Sequence, residues 1–371
     1  MYKGTGISKD QLSDDGEPRI LYGELYTKYK SETIREVISK TNIDNTKLVR
    51  SKANDVIIPC SGETAEDIAT ARCVLNGNIL LGGDLNIIRL HGYDGAFMSY
   101  QLNGKRKYDI AKVAQGVSVV HLYGEHLKGV KTINPCLEEQ KKIASLLALL
   151  DERISTQSKI IDKLQTLIRG IMVELQKQGL KNGTWKKFIL ADVLSERSEL
   201  NINLHQVFSV SVSKGVVNQV EYLGRSFSAK DTSKYHVVHY GDIVYTKSPT
   251  GSFPYGIVKQ SLNHDNVAVS PLYGVYKPKN FSTGMYLHQY FMSEVNTLNY
   301  LHPLIQKGAK NTINITNQRF LENRVAMPIN ADTLLVISQL LRSLNYKIEY
   351  QQSLLLQYQK QKQYLLRQMF I

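Results

Sequence analysis

The chain has 371 residues, and its 46 Lys and Arg against 33 Asp and Glu give a formal charge of +13 at neutral pH. With 42% hydrophobic and 21% charged residues it can build a sizeable core, which excludes disorder along the whole length. No run of ~18 apolar residues offers a membrane span, and Met1–Leu12 lacks the apolar stretch of a signal peptide. Cys60, Cys73 and Cys136 form no Cys-x-x-Cys pair and would leave one thiol over. Neither a disulfide framework nor a thiolate zinc site is expected, and a reducing cytoplasm fits. The basic excess is concentrated in 181–330, where 16 basic side chains face 9 acidic ones. Such a surplus attracts polyanions, because each neutralised phosphate releases a condensed counterion; a merely solvated basic surface would look the same.

The chain opens with a mixed globular segment. A turn at Ala53-Asn54 leads through Asp55 into the apolar run Val56–Pro59, and Asn78–Leu81 is a second strand-like run. An amphipathic helix is expected from Phe97 onward. From Gly116 a polar loop leads to the apolar Val117–Leu122 and then to a strand ending at Pro135. A long helix follows, from Glu138 to about Gln178. Its seam is Ile143, Leu147, Leu150, Ile154, Gln157, Ile161, Leu164, Ile168, Ile171 and Leu175, in steps of four and three. That spacing keeps one stripe facing a partner helix. Gly179 is expected to close the helix, with Asn182-Gly183 as the turn beyond.

A second globular segment follows. Tyr240–Thr246 corresponds to Ala53–Pro59, with Asp242 in the place of Asp55, and Leu272–Tyr276 is strand-like. A helix is expected over Tyr286–Leu301, and Gly308–Pro328 matches Gly116–Pro135. After Pro328 a seam recurs 194 residues on: Ile337, Leu341, Leu344, Ile348, Gln351, Leu355, Tyr358, Lys362, Leu365 and Met369. Gln157 and Gln351 share one register, and a polar residue on an apolar seam marks alignment. The plan is a tandem duplication of a mixed globular unit followed by a long helix. The two helices are expected to pack on each other, and periodicity leaves their relative direction open.

Catalytic patterns are scarce. The chain has no phosphate loop, no Gly-x-Gly-x-x-Gly turn, no Gly-x-Ser-x-Gly elbow and no Asn/Asp-Pro-Pro-aromatic methyltransferase motif. His236 and His239 lie in a strand-like run without a carboxylate pattern, and Asp242 with Lys247 lacks the second carboxylate that a metal-dependent nuclease needs. Cys60 has no assignable histidine partner. The loops are more informative. Lys247, Ser248, Thr250 and Ser252 follow one strand, and Lys307, Lys310 and Asn311 lie in a second basic loop. Ser61, Gly62 and Thr64, with Gln115 and Ser118, hold the matching places in the first half. Lysines suit phosphates, and hydroxyls and amides suit base edges in the major groove. The 22 tyrosines suit both recognition surfaces and β-rich cores.

The stretch Pro135-Cys136-Leu137-Glu138-Glu139-Gln140-Lys141-Lys142-Ile143-Ala144, running into Leu149-Leu150-Asp151-Glu152-Arg153-Ile154, resembles the conserved region of type I restriction–modification specificity subunits. So do Gln115–Leu122, Gly4–Asp10 and Tyr22–Thr27, and Trp185–Val193 resembles the segment that opens a target-recognition domain. The resemblance implies an α+β fold of two mixed α/β target-recognition domains separated by two long helices in an antiparallel coiled coil. The domains would be 1–135, possessing a trimmed N-terminus or a differently placed start codon, and 181–329, with spacer helices at 136–180 and 330–371. It implies a non-catalytic subunit that reads an asymmetric split site in double-stranded DNA and docks two methyltransferase subunits, to which restriction subunits can add. S-adenosylmethionine, ATP and Mg2+ would belong to those partners, with no cofactor bound by this chain and no membrane contact. Where the family has Glu-Glu-Gln at the start of the second helix, this chain has Asn330-Ala331-Asp332-Thr333. The competing readings are a stand-alone metal-dependent DNA nuclease and a helical adaptor.

Overall fold

The computed structural model describes residues 1–7, 9–44, 47–307 and 313–370. The chain forms two compact units, one of Met1–Ile160 with Gln351–Ile371, the other of Ile161–Tyr350. In the first unit, β1 (Tyr2–Lys3), β2 (Asp55–Pro59), β3 (Arg72–Val74) and β4 (Leu85–Ile88) make an antiparallel sheet in the order β1-β4-β2-β3. Thr33–Ile34 adds a parallel strand at the β3 edge. All of β2 is buried. Val56 and Ile58 face a core with Met98 and Leu102 of helix α1 (Gly95–Asn103), while Ile57 faces another with Ile20, Leu25 and Ile34. A strand covered on both faces reads as a continuous apolar run, as this one does.

The second unit repeats the plan. Its strands β5 (Leu194–Glu196), β6 (Ile243–Tyr245), β7 (Val258–Gln260) and β8 (Gly274–Pro278) are antiparallel in the order β5-β8-β6-β7, the same permutation as in the first unit. Helix α2 (Phe281–Tyr290) stands where α1 stands, and the caps match: Asp94 accepts the Phe97 N–H at 2.8 Å, and Asn280 accepts that of Thr283 at 2.8 Å. The helix expected over Tyr286–Leu301 is instead two, because α2 ends at Tyr290 and Ser293 caps a new helix over Glu294–Leu301. The strand expected before Pro328 is Arg324–Pro328, paired with Trp185–Ile189. Residues 130–135, its counterpart, are not in a strand.

The long helices span Leu137–Lys181 and Ala331–Gln368. Within the first unit they run antiparallel. The Gln157 amide donates to the Gln351 side chain, and Leu147 and Leu150 pack with Leu366 and Phe370 against Phe97 and Tyr100. Of the seam residues, Leu147, Leu150, Gln157, Ile161, Ile337, Leu341 and Ile348 are buried. Ile143, Ile154, Leu164, Leu344, Gln351 and Leu355 are half-buried. Gly179 does not end the first helix, which continues to Lys181; Gly183, at φ +69°, makes the turn. The missing Cβ of Gly179 leaves room for the Trp185 indole, 1.9 Å from where that atom would be.

Many tyrosines are core residues with satisfied hydroxyls. Tyr245 and Tyr276 stack on Phe320 at 4.8 and 4.7 Å, and their hydroxyls donate to the carbonyls of Tyr255 and Asn317. Lys259 is the odd member of this interior. It is buried, its ammonium sits against the Met292 sulfur, and burial pushes its pKa down to about 8. A depressed cation pKa means that the unfolded chain binds the proton more tightly than the folded one. Stability is therefore lost as pH falls from about 10.5 to about 8, and the deficit is constant below that. Lys259→Met is expected to exceed the wild type in stability by about 3 kcal/mol at pH 7, with the gap closing above pH ~8. Denaturant unfolding across that pH range tests this; a pH-independent gap would refute it.

Candidate nucleic-acid interface

The candidate loops leave the ends of the two central strands, and each strand begins on the same local structure. Asn54 and Gly241, both at positive φ, precede Asp55 and Asp242. Each carboxylate accepts the backbone N–H three residues back, from Lys52 and from His239, at 2.8 Å in both cases. Each also holds an arginine by two hydrogen bonds: Asp55 holds Arg89 at 3.0 and 3.0 Å, and Asp242 holds Arg197 at 2.6 and 3.1 Å. Both carboxylates are buried. Asp242 is thus committed to structure. His236 meets the Tyr273 carbonyl and His239 the Glu199 carboxylate. Among the described residues no group of three or more His, Cys, Asp or Glu side chains could hold a metal ion. Burial pushes the Cys60 thiol up to about 11, away from nucleophile character.

In the first unit the predicted residues converge. Ser61–Gly62 pairs antiparallel with Val120–His121, so the Ser61 loop and the Gln115 loop lie side by side. Ser61 is buried and donates to Asp84 at 3.1 Å. Thr64 caps a short helix by accepting the Asp67 N–H, and its hydroxyl donates to the Asp67 carboxylate at 2.7 Å. Gln115 exchanges backbone hydrogen bonds with His121, and Gly116, Val117, Ser118 and Val119 form the exposed tip between them. Three residues that sequence reasoning passed over complete this surface. The Lys3 ammonium lies 5.9 Å from the Tyr123 ring centroid, and the His121 ring stacks on Tyr123 with centroids 6.3 Å apart. His121 and Tyr123 are both exposed, and their i, i+2 spacing on an extended run was the available signal.

In the second unit, Lys247 follows β6 with φ +58°, an uncommon conformation for a side chain of this kind. It is half-buried, burial lowers its pKa, and the Glu196 carboxylate opposes that shift. Ser248 and Ser252 are exposed, and Thr250 is half-buried. Thr250 and Phe253 exchange backbone hydrogen bonds of 3.0 Å, which anchors the loop on the buried Phe253 ring. The Ser252 hydroxyl donates to Glu294. Lys307 lies in the strand Gln306–Lys307, paired with Ile313–Asn314, while Lys310 and Asn311 lie outside the described residues. The Asn317 amide, which sequence reasoning missed, donates to Glu196 at 2.6 Å, and its buried Oδ1 has no partner. Each unit thus presents cations, amides and hydroxyls on loops held by a rigid sheet, and the side chains differ between units.

No protein-family model matches the chain. The specificity subunit of the type I restriction enzyme MjaVIII from Methanocaldococcus jannaschii is 25% identical over 187 residues. That alignment covers 50% of this chain and 42% of the relative, so the chain spans less than half of that protein's length. The crystal structure of a type I restriction–modification S subunit from M. genitalium superposes with a TM-score of 0.65 at 13% identity. The superposition covers 100% of this chain and 93% of that one. The chain therefore has the fold of a type I restriction–modification S subunit. In sequence it is similar to a specificity subunit of that class. No helix among the described residues is long and apolar enough to cross a membrane.

Removing either aspartate at the strand starts would leave a half-buried arginine and a backbone N–H without their acceptor. Asp242→Ala and Asp55→Ala are each expected to cost about 3 kcal/mol of stability, read as a lowered midpoint in thermal or denaturant unfolding. A change within experimental error at either position would show that the turn does not depend on the carboxylate.

Proposed function

We propose that this chain is the non-catalytic DNA-specificity subunit of a type I restriction–modification complex, with each unit reading one part of an asymmetric split site in double-stranded DNA. What supports this most is the duplicated reader: one strand order and one aspartate turn occur twice, while the loops they carry differ in chemistry. Two unlike readers call for two unlike half-sites rather than a palindrome. Lys3, His121 and Tyr123 would serve the first half-site together with Gln115 and Ser118. Lys247, Ser248, Thr250 and Ser252 would serve the second, with Glu196 and Asn317 beside them. Ser61, Gly62 and Thr64 shape the first loop, two of them through hydroxyls already engaged within the protein.

The long helices would set the register of the two readers and dock two methyltransferase subunits, to which restriction subunits can add. S-adenosylmethionine, ATP and Mg2+ would be held by those partners, and the complex would work in the cytoplasm. A stand-alone nuclease is disfavoured by the engagement of Asp242 with Arg197.

Methylome sequencing of cells with and without the chain, the methyltransferase being expressed in both, should reveal a split motif that depends on the chain. Unchanged methylation would refute the proposal. Lys247→Ala should weaken binding to the cognate duplex and reduce the slope of log K against log salt by about one. An unaltered slope would remove Lys247 from the phosphate contacts.

A further inference from the structure

Besides the Gln157–Gln351 pair, the seam inside the first unit carries a charged residue, Lys362. The Lys362 ammonium bonds the carboxylates of Glu32 and Asp151, the latter at 2.5 Å. Tyr100 and Ser31 each donate a hydroxyl to Asp151 at 2.7 Å. The side chains of Glu32, Asp151 and Lys362 are 8%, 9% and 12% exposed, so one cation serves two buried anions. The nearby Arg72 guanidinium is engaged by the carbonyls of Tyr29 and Ala71. Without Lys362, both carboxylates would lose their direct ionic contact away from water and keep only the Coulombic pull of Arg72, a far greater cost than loss of an exposed pair would incur. Behind it, Phe370 is buried against the Phe97 ring, with centroids 5.3 Å apart.

The 194-residue repeat makes this cluster informative. The first long helix carries Ile168 where the second carries Lys362, and Gln176 where the second carries Phe370. Asn345 stands where Asp151 stands, and its amide donates to Gln289. Two seams of equal spacing, both centred on a glutamine, can pair in more than one way. The first helix could take the second helix of its own chain, or the first helix of a second copy, about a twofold axis through Gln157. In the second arrangement Asp151 and Glu32 would face an isoleucine, and Phe97 would face a glutamine. Apolar spacing cannot separate the two pairings; the charge and the terminal ring can.

We propose that Lys362, backed by Phe370, is a pairing-selectivity site: it reserves the first unit for the second long helix of the chain and rejects the first long helix of another copy. This does not depend on DNA recognition and would hold for the free subunit.

The test co-expresses two differently tagged full-length copies and measures how much of one is retained with the other, with mass by light scattering. Wild type should retain little. Lys362→Ile should raise retention, and so should Glu32→Gln/Asp151→Asn/Lys362→Ile, a variant neutral at all three cluster positions that leaves the buried Arg72 on its carbonyl acceptors. An increase of at least about tenfold is expected in whichever of these unfolds cooperatively, while Lys362→Arg should stay near wild type. If a cooperatively folded neutral variant retains no more of its second copy than wild type does, the cluster is only a stabilising contact and the proposal fails.

Discussion

The first unit depends on an apolar contact between two stretches far apart in the chain. Leu147 and Leu150 lie near the start of one long helix, Leu366 and Phe370 close to the end of the other, and both pairs bury against Phe97 and Tyr100. More than two hundred residues of chain intervene. The entropy of closing so large a loop grows only slowly with its length, so a well-packed seam can bear it. Alignment is a separate matter from attraction. Apolar side chains slide past one another at little cost, whereas the Gln157–Gln351 pair and the Lys362 cluster each satisfy their polar groups in one register.

Duplication has been kept where the backbone demands it and relaxed elsewhere. The aspartate at the start of each central strand solves the same problem twice, holding a turn with a residue at positive φ. Its arginine comes from a different strand in each unit: Arg89 follows β4, and Arg197 follows β5. The acceptor was preserved and the donor replaced. Arg72 and Lys259 are likewise register equivalents on the third strand of each sheet, paired opposite Ile57 and Val244. Arg72 finds two carbonyl groups, whereas Lys259 has only a thioether, which is why burial tells so heavily on its charge.

The elements most legible in the sequence were those whose signal is local. Ten seam positions in four-three steps admit few readings other than a long helix, and a turn residue followed by Asp and a β-branched run marks each central strand. Helix ends were less secure. Gly179 looked like a stop signal because glycine usually is one, but here it makes room for Trp185, a contact that no local rule contains. The candidate loops were visible from their composition. Their neighbours were not, since Lys3 meets Tyr123 only through the sheet, and Glu196 meets Asn317 across 121 residues. The ion cluster was the least visible: Lys362 looked like a flaw in the seam, and its partners lie 211 and 330 positions away. Charge pairing over such separations has no periodicity to betray it.

The division of the chain also bears on how it comes off the ribosome. Residues 161–350 are contiguous, so the second unit has all of its parts before synthesis ends. The first unit has most of its residues much earlier but waits for 351–371, which are translated after the whole of the second unit. At ~5–20 residues per second that wait lasts on the order of ten seconds or more, with Phe97, Tyr100 and the faces of Leu147 and Leu150 uncovered. The part made first is therefore finished last, and the nascent chain spends that interval with an apolar surface that chaperones can recognise.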